Sequence, residues 1–322
     1  MTTASKPVLC GFASSLGQPR TIAANAKDDL SDSACSVLLA TGLRDYLSAD
    51  DIEPHVAAVI AASLDRSGIP ADQIDCVLIA TKRDYPGSEA MGRNVQTVLV
   101  DAGIEHATII GLDRIACANS LLAMCMASML VSQGSFRNCM ILSYNKMRED
   151  ESRLMKPTVG YLSEGAAACI VTSGARSGYH IGTPCVQTDL RMDDGSAQEN
   201  LLATFKAIGA NVRALGRRFY AMAGTSPEEY RSAILNNLSF STMRLFSGQL
   251  DLAWGSVFKE LVPQTSHLSG CDIIINLEYI ERNNPDLLDH KVLLFSNSAI
   301  DWVITDLVRT NATASSTPGN AQ

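Results

Sequence analysis

"DRIACANSLLAMCMASMLVSQG", residues 113–134, contains a long apolar run that begins at a cysteine. From Cys117 onward the stretch is apolar or small on nearly every side of a helix. A helix of that kind belongs at the centre of a molecule. Just before it, "ATIIGLD" (107–113) reads as a strand. The unit is a strand, a short turn and a buried helix, with Cys117 at the front of that helix.

Working outward, the same alternation continues. "VLCGFASSLG" (8–17) reads as a strand and turn, and "IEPHVAAVIAASLDRSGI" (52–69) has helical spacing that ends at Gly68. "IDCVLIAT" (74–81) is a continuous apolar run, the mark of a strand buried on both faces. "AMGRNVQTVLVDAGI" (90–104) is helical, and "RNCMILSYNK" and "EGAAACIVTSG" are two more strands. The succession predicts an α/β protein with helices covering a mostly parallel sheet.

The second half varies the same theme. "PEEYRSAILNNLSFSTMRLFSGQ" reads as helix and turn, "SVFKELVP" as a strand, and "HLSGCDIIINLEYIERNN" as mostly helix. "KVLLFSNSAIDWVITDLVRT" reads as one strand running into another. A buried strand followed by a tight polar turn occurs in both halves, which points to an internal duplication. Residues 150–230 hold long polar segments expected to cap the site. "NATASSTPGNAQ" (311–322) is small and polar and is expected to be a disordered tail.

Length and composition bound the function. A chain of 322 residues can bury one large core or two fused ones. No window reaches 18 uncharged apolar residues, so no membrane span is expected. "MTTASKPVLCGF" lacks the apolar core of a signal peptide, so the expectation is a cytoplasmic protein. Nine cysteines with no CxxC pair and no Cys/His cluster fit reduced thiols, not a disulfide framework or a metal site. A net charge of −8 argues against nucleic acid as a partner.

Cys117 admits two readings. It is a core cysteine, or a nucleophile whose thiolate is favoured by the helix N-terminus, with neighbouring N–H groups facing an oxyanion. Cys125, Cys139 and Cys169 lie inside apolar runs and read as core. Among the five histidines, His55, His106, His180 and His290 have no clear partner chemistry. His267 lies at a strand-to-helix turn, five residues before Asp272. A carboxylate there orients the imidazole through one nitrogen and leaves the other for a thiol. The competing reading is a surface histidine in a turn capped by Ser266 or Ser269.

The chain apart from its tail resembles the thiolase-fold enzymes of the 3-oxoacyl-(acyl-carrier-protein) synthase III type. "TGLRDY" (41–46) and "GIPADQIDCVLIAT" (68–81) are similar to two N-terminal motifs of that family. "LDRIACANSLLAMCMASMLVSQGSFRNCMIL" (112–142) is similar to its nucleophile strand and helix, which places the acylated cysteine on Cys117. "LSEGAAACIV" (162–171) and "LLFSNSAIDWVITDLV" (293–308) resemble a glycine-alanine strand and the closing turn and last strand. The resemblance implies two duplicated βαβ halves in a five-layer α-β-α-β-α arrangement. Its N-terminal half (1–172) would carry the nucleophile, and its C-terminal half (173–310) His267 and Asp272. It also implies a homodimer, no cofactor and no metal.

The departures from the family matter as much. Its first histidine segment corresponds to "NNLSFSTMRLF" (236–246), which has no histidine. "SHLSGCD" (266–272) resembles instead an acyltransferase branch with an Ala-His-x4-Asp signature, with Ser266 in place of the alanine. The closing turn has Ser296, Asn297 and Ser298 where the family has glycines. The resemblance therefore implies acyl transfer from a thioester to a hydroxyl, amine or thiol of a small-molecule or carrier-bound acceptor, in a polyketide-type secondary-metabolite pathway. Cys117, His267 and Asp272 would form the triad, with backbone N–H groups of Cys117 and Ser298 as the oxyanion hole. A condensing synthase and a non-catalytic partner subunit are the alternatives.

The resemblance implies that the donor is acyl carrier protein or acyl-coenzyme A. Family members that take coenzyme A usually stack its adenine on a tryptophan in the N-terminal region, and the stretch 29–42 has no aromatic residue, which favours the carrier protein. Carrier proteins are acidic, and Lys206, Arg213, Arg217 and Arg218 cluster on one predicted helix. Pocket walls are expected from 85–95, 150–165 and 185–220.

Overall fold

The computed structural model describes residues 6–25, 30–81, 88–148, 151–156, 159–175, 177–193 and 201–310. The expected tail and part of the 85–95 wall lie outside these residues.

The apolar runs become a ten-stranded mixed sheet. One end is built from Val8–Leu16, Gly165–Thr172, Asn138–Asn145, Cys76–Ala80 and Thr108–Leu112, in that spatial order. The other end is built from Tyr179–Ile181, Asp301–Arg309, Val292–Asn297 and Ser232–Ile234, with Cys185–Thr188 also paired to Asp301–Arg309. The ends meet at the pairing of Leu9 with Tyr179. Cys76–Ala80 pairs in parallel with both Thr108–Leu112 and Asn138–Asn145, and Ser232–Ile234 with Val292–Asn297. The other pairings among the described strands are antiparallel, so the expected mostly parallel sheet is corrected: strands joined by a hairpin or meeting at the sheet centre run in opposite directions.

Strand alternation sorts the side chains into layers. Met140 and Leu142 face outward, onto Val56, Val59 and Ile60 of the helix Glu53–Ser67. Cys139 and Ile141, one residue out of phase, face inward onto Leu121 and Met124 of the helix Asn119–Ser132. Val292 and Leu294 reach the same inner cluster from the other end of the sheet, joined there by Ile273 and Ile274 of the helix Asp272–Asn283. Leu293 and Phe295 point the opposite way, onto Val212 and Leu215 of the helix Leu201–Ala223 and onto Phe246 of Phe240–Gln249. The layers thus run helix, sheet, paired central helices, sheet, helix. Leu121, Ala123, Met124 and Ala127 are fully buried, as an all-round apolar helix requires.

Local signals hold where they are strong. Glu53–Ser67 ends at Gly68 in the left-handed region, φ 66°. One strand expectation fails. "SVFKELVP" makes a single isolated bridge, Val257 to Ala233, and then a helical turn, Val262–Thr265. Pro263 near the start of that turn removes a ladder donor and suits the first turn of a helix. "PEEYRSAILNNLSF" also holds a short strand, Ser232–Ile234, where the sequence reads as helix and turn.

Candidate active site

Cys117 sits in a single 3₁₀ turn, Ala116–Ala118, that runs directly into Asn119–Ser132. The turn holds Ala116 at φ 42°, a conformation that residues with a Cβ seldom adopt. Asn119 clamps it from both sides. Its Oδ1 accepts from Ile115 N at 3.2 Å, and its Nδ2 donates to Thr81 O at 2.5 Å.

His267 is positioned through its backbone. Its N–H donates to Tyr161 O at 3.0 Å, and its carbonyl accepts from Ser163 N at 2.9 Å. The preceding residue, Ser266, lies at φ 48°, and its hydroxyl donates to Asp45 O at 2.6 Å. These bonds turn the imidazole inward, where it is 1% exposed.

Asp272 opens the helix Asp272–Asn283, where its charge lies along the favourable direction of the helix dipole. Its carboxylate accepts from His267 Nδ1 (2.5 Å), Leu268 N (2.8 Å), Asn237 N (2.8 Å) and Asn236 Nδ2 (3.4 Å). On the far side of the ring, His267 Nε2 lies 3.0 Å from Cys117 Sγ. The structure thus brings Cys117, His267 and Asp272 into one hydrogen-bonded line.

The electrostatics follow from this line. Burial alone would raise the Cys117 thiol, but the facing His267 charge, its hydrogen bond and that of Ser269 Oγ at 3.5 Å bring it below its ordinary value. Burial alone would lower His267, but the Asp272 and Cys117 charges outweigh it and hold the imidazole at about 10. Both shifts run in the direction that favours an imidazolium facing a thiolate.

A polar shell around the triad was not read from the sequence. Asn236 Oδ1 accepts from Asn297 N at 2.9 Å, and Ser296 Oγ lies 2.9 Å from both Asn236 Oδ1 and Cys117 O. The Ser296 hydroxyl has one proton and serves one of these acceptors at a time. Asn237 Nδ2 reaches Thr265 Oγ1 at 3.2 Å, and Asn276 Nδ2 reaches Asn237 Oδ1 at 2.8 Å. The only sequence signal was the Asn-Asn pair just before Ser239, which caps the next helix by accepting from Thr242 N.

The expected oxyanion donor on Ser298 is corrected. Its N–H donates to Asp301 O at 2.8 Å, closing the hairpin. In the same turn, the N–H groups of Ile300 and Asp301 donate to Ser298 Oγ at 3.3 and 3.0 Å, and that of Asn297 to Asn236. Among residues 297–301 only the Ala299 N–H is not committed in this way, and Ala299 lines the cavity with Cys117.

That cavity holds about 320 Å³. Met155, Val159, Met192, Phe205 and Ile208 come from expected walls, while Leu245, Phe246 and Trp302 come from segments not foreseen. No side chain of residues 85–93 is described. His55 and His180 lie elsewhere, with Nδ1 2.9 Å from Ser15 Oγ and 2.8 Å from Pro7 O. The four cations are exposed on Leu201–Ala223. Arg213 Nε donates to Gln249 Oε1 at 3.1 Å, and Arg218 binds back to Cys185 Sγ at 2.8 Å and to Val186 O. Among the described residues no cluster of His, Cys, Asp and Glu could hold a metal, and no helix is long and apolar enough to cross a membrane.

No family model and no curated protein matches the chain. Solved structures do. The chain is similar to 3-oxoacyl-[acyl-carrier-protein] synthase III from Aquifex aeolicus, with 16% identity, a TM-score of 0.77, and coverage of 94% of this chain and 99% of that one. It is similar to the priming β-ketosynthase of the R1128 polyketide pathway, with 15% identity, a TM-score of 0.77 and coverage of 96% and 98%. It is also similar to the acyltransferase ChlB3, with 12% identity, a TM-score of 0.78 and coverage of 94% and 97%. Over nearly its whole length, the chain has the thiolase fold of these 3-oxoacyl synthase III-like proteins.

Proposed function

We propose that the protein is an acyltransferase that works through an acyl-Cys117 intermediate. The observation that carries this reading is the line Asp272–His267–Cys117, with 2.5 Å and 3.0 Å contacts on the two ring nitrogens. The Cys117 thiolate attacks the carbonyl carbon of an acyl thioester. The tetrahedral intermediate expels the carrier thiol, which takes the proton from His267 Nε2. An acceptor hydroxyl, amine or thiol then attacks the acyl-enzyme carbonyl. His267 Nε2 removes its proton, and the Cys117 thiolate leaves, restoring the ion pair. Asp272 keeps the ring in the orientation that presents Nε2 to each proton. The N–H groups of Cys117 and Ala299 are the donors for the oxyanion.

Acyl transfer fits better than decarboxylative condensation. Condensation needs two fixed donors on an enolate oxygen. Here His267 is the only histidine lining the described cavity, and Asp272 on its Nδ1 makes it a base, not a neutral donor. Asn236 stands behind Asp272, engaged with the closing turn. Similarity to a priming ketosynthase and to the acyltransferase ChlB3 supports a thioester donor and a polyketide-type pathway.

We read the donor as a carrier protein docking on Lys206, Arg213, Arg217 and Arg218, because their helix also lines the cavity through Phe205 and Ile208. We read the assembly as a homodimer through Thr108–Leu112. That strand ends the sheet, and its Ile109 is 40% exposed although the strand is apolar.

The test is intact-protein mass spectrometry with a panel of acyl thioesters, followed by acceptor addition. Loading on Cys117 and a product that keeps the donor's whole acyl group support acyl transfer. Carbon dioxide released in step with product from a malonyl thioester overturns it in favour of condensation.

A further inference from the structure

Ser269 lies between His267 and Asp272 in sequence, where it reads as a turn cap. The structure gives it another partner. Neither the 3₁₀ turn Ser269–Cys271 nor the helix Asp272–Asn283 has a side-chain cap. The Ser269 hydroxyl donates instead to Cys117 Sγ at 3.5 Å, the one hydrogen bond it makes among the described residues. Ser269 is 1% exposed, so this contact is shut off from bulk water.

The contact is held from several sides. Ser269 has φ 56°, a conformation that residues with a Cβ seldom adopt and that glycine adopts freely. The position thus carries a side chain where the backbone favours none. The next residue, Gly270, accepts through its carbonyl from Ser120 Oγ of the helix Asn119–Ser132. A Cβ on Gly270 would meet Ser143 Oγ of the strand Asn138–Asn145 at 2.7 Å. Leu268 N donates to Asp272 Oδ1 at 2.8 Å on the other side of the turn. These contacts lock the turn against the element that carries Cys117.

His267 Nε2 holds one proton at a time. When an acceptor attacks acyl-Cys117, Nε2 takes the acceptor's proton and is occupied at that atom. The carbon–sulfur bond of the tetrahedral intermediate then breaks, its electron pair passes to Cys117 Sγ, and the carbonyl re-forms. Negative charge appears on sulfur, and the Ser269 O–H already points there. It shares its proton without giving it up. A donor oriented in advance toward developing charge stabilises the transition state. We infer that Ser269 is a fourth catalytic residue, the donor that receives the departing Cys117 thiolate while His267 holds the acceptor's proton. This rests on the reading that Cys117 carries the acyl group, and it assigns the stabilisation of the leaving sulfur to a residue outside the triad.

The test uses two variants. Ser269→Ala removes the oxygen and little else, and Ser269→Gly removes it on a backbone that suits glycine. Each protein is loaded with the butanoyl thioester of N-acetylcysteamine and freed of excess thioester. N-acetylcysteamine is then added as thiol acceptor, and acyl-enzyme is followed by intact-protein mass spectrometry. Return of the acyl group should slow roughly 10-fold in both variants, the order of one hydrogen bond to a charged group. Loading, in which charge leaves the sulfur, should fall less when measured above each protein's alkylation midpoint. The pH midpoint of Cys117 alkylation should rise in both, a readout that lost packing alone would not move. Ser269→Gly serves if Ser269→Ala does not fold. An unchanged return rate or an unmoved midpoint in a folded variant would overturn the inference. Equal loss of loading and return would overturn it too, because it marks a disturbed site. In all three cases the wild-type protein still loads, and the acyl-transfer reading stands. A wild-type protein that no thioester loads overturns that reading and this inference with it.

Discussion

His267 Nε2 and Cys117 Sγ meet at 3.0 Å across 150 residues of sequence. Burial raises the thiol and lowers the imidazole, and mutual attraction, with Asp272 behind the ring, reverses both.

The first prediction is the pH profile of Cys117. Its pKa lies below the ordinary thiol value, so alkylation by iodoacetamide should stay fast at pH 6–7, where a free cysteine, with a pKa near 8.5, has slowed. His267→Ala removes the opposing charge and leaves burial, so the alkylation midpoint should move up past that of a free cysteine. An unshifted midpoint in the wild-type protein would contradict the ion pair. The stability sign follows. The raised imidazole contributes stability that is fully present below its unfolded value near 6.5 and is lost as pH rises through about 10. Thermal melts from pH 6 to 11 should show that loss in the wild-type protein and less of it in His267→Gln.

The second concerns Asp272. An asparagine there holds the wrong histidine tautomer, and in a comparable triad that change costs about 10⁴ in turnover. Transfer to the acceptor should fall by roughly that order, and loading of Cys117 by less, because the buried thiol still faces the ring and Ser269. Acyl-enzyme should therefore accumulate in Asp272→Asn and be visible by mass spectrometry. The amide also turns an NH₂ toward a backbone donor, Leu268 N or Asn237 N, at a stability cost of about 1–3 kcal/mol, read as a lower Tm.

Third, loading should depend on Cys117 alone. Cys117→Ala should abolish it, while Cys125→Ala should keep it, since burial pushes the Cys125 thiol up to about 12. Persistent loading in Cys117→Ala would move the nucleophile elsewhere.

Fourth, the exposed strand Thr108–Leu112 should be a subunit contact. Light scattering at micromolar concentration should give twice the monomer mass. Ile109→Lys, which places a charge on an edge that is 40% exposed at that residue, should shift the mass toward the monomer. A monomeric wild-type protein would sink the dimer.

Fifth, reversing charge at Arg213 and Arg217 together should weaken use of a carrier-protein donor and spare small thioesters. The effect should shrink in high salt, where exposed charges are screened over a few ångströms. Equal loss with both donors would assign these residues to folding or to the pocket.

The sequence by itself determined the layered α/β fold. Its apolar runs are long, its strands alternate, and the all-round apolar helix after Cys117 has one place to go, the centre. It also raised Cys117, His267 and Asp272 as candidates beside the readings of a core cysteine and a surface histidine, and it was the resemblance to the synthase III-type family that joined the three into one site. Local patterns failed where a single proline, the bonding inside a turn or a long-range bond decided the outcome. "SVFKELVP" is apolar enough for a strand, yet Pro263 turns it into a helical bend. Ser298 stands in the right turn, yet its N–H closes the hairpin onto Asp301, and the neighbouring Ala299 is left to face the cavity. Asn236, Asn237 and Asn276 have no periodicity to mark them. They act only because three separate segments converge behind Asp272, where every buried polar group must find a partner. The charge states of Cys117 and His267 belong to the tertiary structure as well, since burial and proximity set them and neither is written in residue order.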